Sequence, residues 1–367
     1  MQEYLRHIMK IGILTYHRSN NYGALLQAIA LRKVLADMGH EVTFIDYWPA
    51  YHRHVYEVFS IASLKYRSLR GNYSYIKYCI RNYLSRKKRI KRFGEFINHY
   101  IVPYLSSVNE KYDIIVHGSD QIWRKQFEIK VYNPVYFGKH NISAKRKISY
   151  AASMGIIAET KEDKRIIKSY LFNLDRISVR EEKLKNLVQE LGFDCELNID
   201  PVFLLNKEQW NSLVPMTKTF NDKYILYYCL QPNAFDISEI NKFAEYRGLK
   251  VITIYGKVFK KDTINEIAIA NSQDLLNLIR GAEFVFTSSF HGLAFSLIFQ
   301  KPFYASFKKN SGRAESLLSQ LGVNQYLLEQ QSAIPTDYKE IDFQMVEYRI
   351  SKMREKSYKY LQDSTIM

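Results

Sequence analysis

Cysteine is scarce in this 367-residue chain: Cys79, Cys195 and Cys229 stand far apart and form no C-x-x-C pair. That spacing excludes a disulfide framework and a cysteine-based zinc site, and it suits a reducing compartment. No run approaches the roughly 18 apolar residues that a membrane span requires. The opening stretch MQEYLRHIMKIGILTY has a short apolar run without a small-residue cleavage site, so a secretory signal is not expected. Low-complexity linkers and tandem repeats are missing. Acidic residues are also short, 37 against 53 Lys and Arg, which leaves a net charge of +16.

What is present fits a soluble globular protein: 47% apolar and 25% charged residues. The length exceeds what one core usually serves, so two domains are expected. The 29 tyrosines read first as packing by an amphipathic ring, with sugar stacking as the alternative. The positive charge is uneven. Residues 51–100 hold twelve Lys or Arg against Glu57 and Glu95, densest at Arg86, Lys87, Lys88, Arg89, Lys91 and Arg92, with tyrosines interleaved. A solvated helical face is one reading of that segment. A surface for anionic lipid or an acidic substrate is the other, and nucleic acid is the least favoured partner.

Short apolar runs alternate with helical periodicity along the chain, the signature of parallel α/β folds. A strand at residues 10–15, a polar loop, a helix ending near Gly39 and a strand at 42–46 make a βαβ unit. Its first turn lacks G-x-G-x-x-G, so Asp46 is not read as a ribose ligand and a nicotinamide cofactor is discounted. Asn20, Asn21 and Gly23 in that turn would suit a sugar or phosphate, or simply a turn. Further strands are expected at 112–116, 146–151 and 176–179, the last ending at Arg180, which reads either as a carboxylate or phosphate clamp ahead of a helix or as a surface ion pair with the next turn. The loop HGSDQIW after residue 116 offers Asp120 as acid, base or hydroxyl acceptor and Trp123 as a ring for a sugar to pack on, although GSD by itself reads more often as a turn than as a catalytic loop. Residues 198–203 read as a hinge. Beyond it the pattern restarts, giving an N-terminal domain 1–200 with a basic insertion near 51–110, a C-terminal domain 201–340 and a terminal helix 341–367, its periodicity running from about 338.

The stretch EFVFTSSFHGLAFSLIFQKP at 283–302 reads as a buried strand, a polar turn and an apolar helix beginning at Leu293. Ser288 and Ser289 supply hydroxyls, and His291 and Gly292 fall in the turn. Backbone N–H groups and the helix dipole would aim at an anion there. A histidine in that place can donate to phosphate or carboxylate, or move a proton near neutral pH.

Seven segments, NNYGALLQAIAL, HGSDQIW, SYAASMG, ISVREEKLKNLV, DPVFLL, TSSFHGLAFSLIFQKPF and GRAESLLSQLG, occur in this order over residues 10–322. Together they resemble the polysaccharide pyruvyl transferase family. The resemblance implies a GT-B-like α/β fold, with two Rossmann-like domains whose parallel sheets face across a cleft. It also implies transfer of pyruvyl from phosphoenolpyruvate onto two hydroxyls of a surface polysaccharide or its lipid-linked precursor. Phosphate is released, a ketal forms, and neither a metal nor a cofactor beyond the co-substrate is needed. Carried over by position, His291 and Asp120 are expected to be catalytic. Arg180, Ser288, Ser289, Gly292 and Arg313 fall on the donor side, and Asn20, Asn21, Gly23 and Trp123 on the acceptor side. Relatives often carry arginine two residues before the histidine; here Ser289 stands, so Arg313 or a lysine such as Lys308 is expected to supply the cation. The expected location is the cytoplasm, at the inner face of an anionic membrane where the acceptor is lipid-linked. Two other readings stand beside this one: glycosyl transfer from a nucleotide sugar, and non-catalytic polyanion or membrane binding by the basic segment.

Overall fold

The computed structural model describes residues 8–126, 130–218, 222–258, 262–307, 312–335 and 337–366. Its first half is built on β1 (Lys10–Leu14), whose side chains beyond Lys10 are buried. Helix α1 (Tyr22–Asp37) and β2 (Glu41–Ile45) follow, then a helical insertion with α2 (Ala50–Val55), α3 (Leu69–Arg81) and α4 (Tyr83–Tyr100). The chain returns through β3 (Leu105–Ser106), β4 (Lys111–His117) and β5 (Ser143–Ser149), and these five strands form one parallel sheet in the order β3-β2-β1-β4-β5. After α5 (Lys161–Leu171), β6 (Ser178–Val179), α6 (Glu182–Glu190) and β7 (Glu196–Leu197), single bridges from Ile148 to Arg176 and from Ala152 to Val179 set β6 beside the β5 edge.

The second half repeats the plan. Helix α7 (Lys207–Leu213) leads into β8 (Tyr224–Cys229), α8 (Ile237–Tyr246), β9 (Lys250–Tyr255), β10 (Glu266–Ile267), α9 (Ser272–Gly281), β11 (Phe284–Thr287), α10 (Phe290–Ile298) and β12 (Phe303–Ala305). Its sheet is parallel, in the order β10-β9-β8-β11-β12. Strands β8 and β11 are buried along their whole length, which is why they read as unbroken aromatic and β-branched runs. The fold is therefore α/β with two Rossmann-like parallel sheets, as expected. Helix α11 (Gly312–Leu321) follows, and α12 (Phe343–Ser364) ends the chain.

Strand β5 runs over Ser143–Ser149 where 146–151 was expected and β6 is only Ser178–Val179, and two helix starts also differ. Helix α12 starts at Phe343 and not near 338, because Tyr338 is used in an aromatic cluster with Phe284, Tyr304 and Tyr326. It then runs back onto the first half, where Tyr360 Oη donates to the Ser149 carbonyl (2.8 Å) and Ser357 Oγ accepts from Ile199 N (3.0 Å). Helix α10 starts at Phe290, capped by Ser289, so His291 lies in its first turn and not ahead of it. No described helix is long and apolar enough to cross a membrane.

Candidate active site

Strand ends from both halves converge where α10 begins. On the first half, β4 runs into Gly118, Ser119 and Asp120. Gly118 has φ +131°, and a Cβ there would lie 2.3 Å from the Tyr150 carbonyl oxygen, so only glycine fits. Asp120 follows with φ +72°, a region that aspartate tolerates better than most residues. Past β6 come Arg180 and Glu181, and past β7 comes Asp200, whose Oδ1 caps the next turn by accepting from Val202 N (3.1 Å). The second half adds His291 from α10 and Arg313 from the first turn of α11.

These side chains form one buried electrostatic cluster. Arg180 donates to Asp200 through Nη1 and approaches Asp120 Oδ1 through Nη2 at 3.4 Å. Its Nε stands 3.9 Å from Glu181 Oε1. Burial works against the guanidinium charge, but Asp200, Glu181 and Asp120 outweigh it and raise the Arg180 pKa. The reciprocal balance holds for Asp120: burial opposes ionisation, while Arg180, His291 and Arg313 together keep its carboxyl below the usual range. Glu181 goes the other way, since burial raises its pKa despite Arg180 and Arg313. Ser153 Oγ donates to Glu181 Oε1, whereas Oε2 is buried without a hydrogen-bond partner among the described residues. A buried carboxyl with a raised pKa and one unpartnered oxygen is a candidate for proton exchange.

His291 packs directly on α1. A Cβ at Gly23 would lie 1.9 Å from His291 Nδ1, so glycine is what lets the two halves close here. Nε2 faces Asp200 Oδ2 at 3.8 Å, is buried and has no hydrogen-bond partner among the described residues. Burial pushes its pKa down to about 4, with Asp200 and Asp120 pulling upward and the two arginines downward. The resting imidazole is neutral at pH 7, and an anion placed beside Nε2 would favour its protonation.

Arg313 differs from Arg180 in having fewer carboxylate contacts among the described residues. Its Nε is 3.9 Å from Glu181 Oε1, and burial, then Arg180, lower its pKa to about 10, which still leaves it cationic at neutral pH. The centroid of the Phe290 ring lies 5.3 Å from the Cζ of each guanidinium, within cation–π reach of both. Arg313 and Glu181 both line a cavity of about 670 Å³, together with Gly155, Lys183 and Ser316. A second cavity, about 710 Å³, lies on the α1 side and is lined by Asn20, Asn21, Tyr22, Tyr228 and residues of α3 and α4.

Of the residues expected from sequence, His291, Asp120, Arg180 and Arg313 thus meet in one cluster. Asn20 and Asn21 line the neighbouring cavity, although Asn21 Oδ1 is already used to cap α1, accepting from Gly23 N (3.1 Å) and Ala24 N (3.3 Å). Others are corrected. Trp123 is no platform for a sugar: it is fully buried, stacked on Phe137 with ring centroids 4.9 Å apart, and its Nε1 donates to the Tyr136 carbonyl. Ser288 Oγ accepts from Leu230 N and Gln231 N, both at 2.9 Å, and holds the β8 loop rather than a ligand. Ser289 caps α10 by accepting from Gly292 N, and Gly292 is required because a Cβ would lie 2.2 Å from Thr287 Oγ1. Arg180 is occupied by Asp200 and Asp120, whereas Arg313 approaches Glu181 at 3.9 Å. Lys308 lies outside the described residues. Asp46, discounted for ribose, is held by Arg18 through two contacts of 2.7 Å.

Sequence reading missed Glu181 and Asp200, taken as a helix start and part of a hinge. Their signal was position: Glu181 directly follows Arg180 after β6, and Asp200 lies three residues past the end of β7, both at the carboxyl edge of a parallel strand pair, where α/β ligand sites lie. Among the described residues no group of three or more His, Cys, Asp or Glu is arranged to hold a metal ion.

A family model described as polysaccharide pyruvyl transferase matches residues 21–306. No curated protein matches the chain in sequence. Similar solved structures include a UDP-GlcNAc 2-epimerase from Neisseria meningitidis, at 9% identity and TM-score 0.46, covering 96% of this chain and 98% of that one. Another is the glycosyltransferase SnogD from Streptomyces nogalater, at 11% identity and TM-score 0.43, covering 98% and 100%. A third is the UDP-GlcNAc 2-epimerase from Methanocaldococcus jannaschii, at 11% identity and TM-score 0.44, covering 94% and 91%.

Proposed function

The chain belongs to the polysaccharide pyruvyl transferase family, and from that premise we propose that it transfers pyruvyl from phosphoenolpyruvate to two hydroxyls of a sugar in a surface polysaccharide or its lipid-linked precursor. The observation that carries this reading is the convergence of Glu181, Arg313 and an unpartnered His291 Nε2 around the buried Asp120–Arg180–Asp200 network.

The reaction needs an acid, a base and a cation, and the cluster holds one of each type. Phosphoenolpyruvate brings carboxylate and phosphate charge beside Arg313 and His291, which raises the imidazole's affinity for a proton. Protonation of C3 from Nε2 leaves C2 electron-poor. One sugar hydroxyl adds to C2 and gives up its proton to Glu181; the C2–O bond to phosphate then breaks, and phosphate departs with the bonding pair. The second hydroxyl adds to C2, loses its proton and closes the ketal. Across the cycle C3 gains one proton and the two hydroxyls lose two, the second leaving on phosphate. Asp120 and Asp200 hold Arg180, so their part is to fix the charge pattern around the imidazole.

The test is phosphate release by the full chain with phosphoenolpyruvate and sugar fragments as acceptors. Release that depends on both substrates supports the reading. Turnover of a nucleotide sugar with none of phosphoenolpyruvate would replace it with glycosyl transfer.

A further inference from the structure

Helix α3 carries a feature that the transfer chemistry leaves unused. Leu69, Tyr73 and Ile80 are 89%, 68% and 74% exposed, and Ile76 between them is also exposed. At 3.6 residues per turn these four lie within about 60° of arc, a continuous apolar stripe facing solvent. Tyr83 and Leu84 extend it onto the start of α4, with Leu84 69% exposed. A contiguous apolar stripe displayed outward, rimmed by polar residues, marks an interaction surface.

The chemistry of the surroundings selects the cover. Residues 58–94 contain eleven Lys or Arg and no Asp or Glu. Arg70, Lys77 and Arg81 flank the stripe on α3, and Lys87, Lys88 and Lys91 continue the exposed charge along α4. Apolar side chains bordered by one-sided positive charge match the boundary of an anionic bilayer, where headgroups meet acyl chains. The opposite face of the same helix belongs to the protein: Gly71, Ser74, Tyr75 and Tyr78 line the cavity of about 710 Å³, whose described lining includes Arg67, Arg86, Arg89 and Lys257 and no carboxylate.

We propose that α3 and the first turn of α4 form an interfacial docking element that lays the stripe Leu69–Tyr73–Ile76–Ile80 on an anionic membrane and holds the adjoining cavity at its surface. The docking itself stands on this geometry. Its use, to meet a lipid-linked acceptor, rests on the transfer reaction proposed above.

The experiment is co-sedimentation of the full chain, without donor, with vesicles of phosphatidylcholine alone and of phosphatidylcholine mixed with phosphatidylglycerol. Binding to the mixed vesicles and not to the neutral ones is expected. The variant Leu69→Ser/Ile80→Ser/Leu84→Ser changes only exposed side chains and is expected to bind at least about tenfold more weakly at unchanged melting temperature. The variant Lys77→Gln/Arg81→Gln/Lys88→Gln is expected to lose affinity and most of its salt dependence. Absence of vesicle binding, or equal binding by the serine variant, overturns the proposal. So does a wild-type dimer that the serine variant dissociates while vesicles are ignored, since the face would then be a self-interface. Phosphate release with a soluble acceptor is measured in parallel: its loss in wild type strikes the transfer reading and leaves the docking result standing.

Discussion

Arg180 and Arg89 are both buried guanidiniums at the junction of the two halves, yet they are compensated in different ways. Arg180 is surrounded by carboxylates, with Asp200 and Asp120 accepting from it and Glu181 close by. Arg89 touches none. Its Nη1 donates to Tyr22 Oη (2.8 Å), the Tyr255 carbonyl (3.2 Å) and the Ala268 carbonyl, its Nη2 donates to the Gly256 carbonyl (3.0 Å), and the rings of Tyr22 and Phe93 flank it. The first arrangement neutralises charge and sets proton affinities around His291. The second joins α4 to the end of β9 and leaves a positive charge at the wall of the 710 Å³ cavity. Burial of a cation therefore says little until its partners are known: carboxylates make a reactive cluster, carbonyls and rings make a clamp that still attracts anions.

The largest expected effect breaks the first arrangement. Arg180→Leu leaves Asp120 and Asp200 buried without their counter-charge, and the loss should be about 3–5 kcal/mol in chemical denaturation together with loss of transfer. Arg180→Lys is expected to recover part of the stability and little of the activity, because one ammonium cannot satisfy three carboxylates in the same geometry. If Arg180→Leu melted like wild type, the cluster would not be held by this residue.

A smaller effect is expected at the clamp. Arg89→Leu strands buried carbonyls and the Tyr22 hydroxyl, a cost of about 1–3 kcal/mol, with the domains held less firmly. Lys88→Ser, one residue away on the exposed side, should stay within about 0.5 kcal/mol. Equal losses at the two positions would erase the distinction between clamp and surface charge.

A further effect is graded with pH. Burial lowers His52, His140 and His291 to about 4 and His117 to about 3. In the unfolded chain imidazoles take protons near pH 6.5, before the folded protein does, so stability is full above that value and declines as pH falls towards 4. Denaturation midpoints at pH 7 and pH 5 check the sign; a protein more stable at pH 5 would show that other groups dominate.

The sequence carried the fold because parallel strands buried on both faces must be short apolar runs, and the helices between them must be periodic. At the site, strand-end positions made Asp120, Arg180 and His291 visible. Partnership was not visible. Nothing local to Trp123 shows that Phe137 and the Tyr136 carbonyl will bury it, and nothing near Ser288 shows that the β8 loop will claim its hydroxyl. Arg89 left a trace: it shares a helical face with Phe93 and Phe96, at spacings of four and seven, and all three are buried. Inside a run of seven residues with six cations, that spacing was masked by the charge. The stripe on α3 was equally encoded, at 69, 73, 76 and 80, but an apolar helical face usually packs inward, and only its exposure marks it as a surface.

The central claim is that an anionic donor meets His291 and Arg313 inside the cluster that Arg180 organises. The most direct measurement is phosphate release from phosphoenolpyruvate, with a sugar acceptor, by wild type and by His291→Ala. Substrate-dependent release by wild type, reduced about 100-fold or more in the variant at unchanged melting temperature, is the predicted result. Near-normal release by His291→Ala would contradict it.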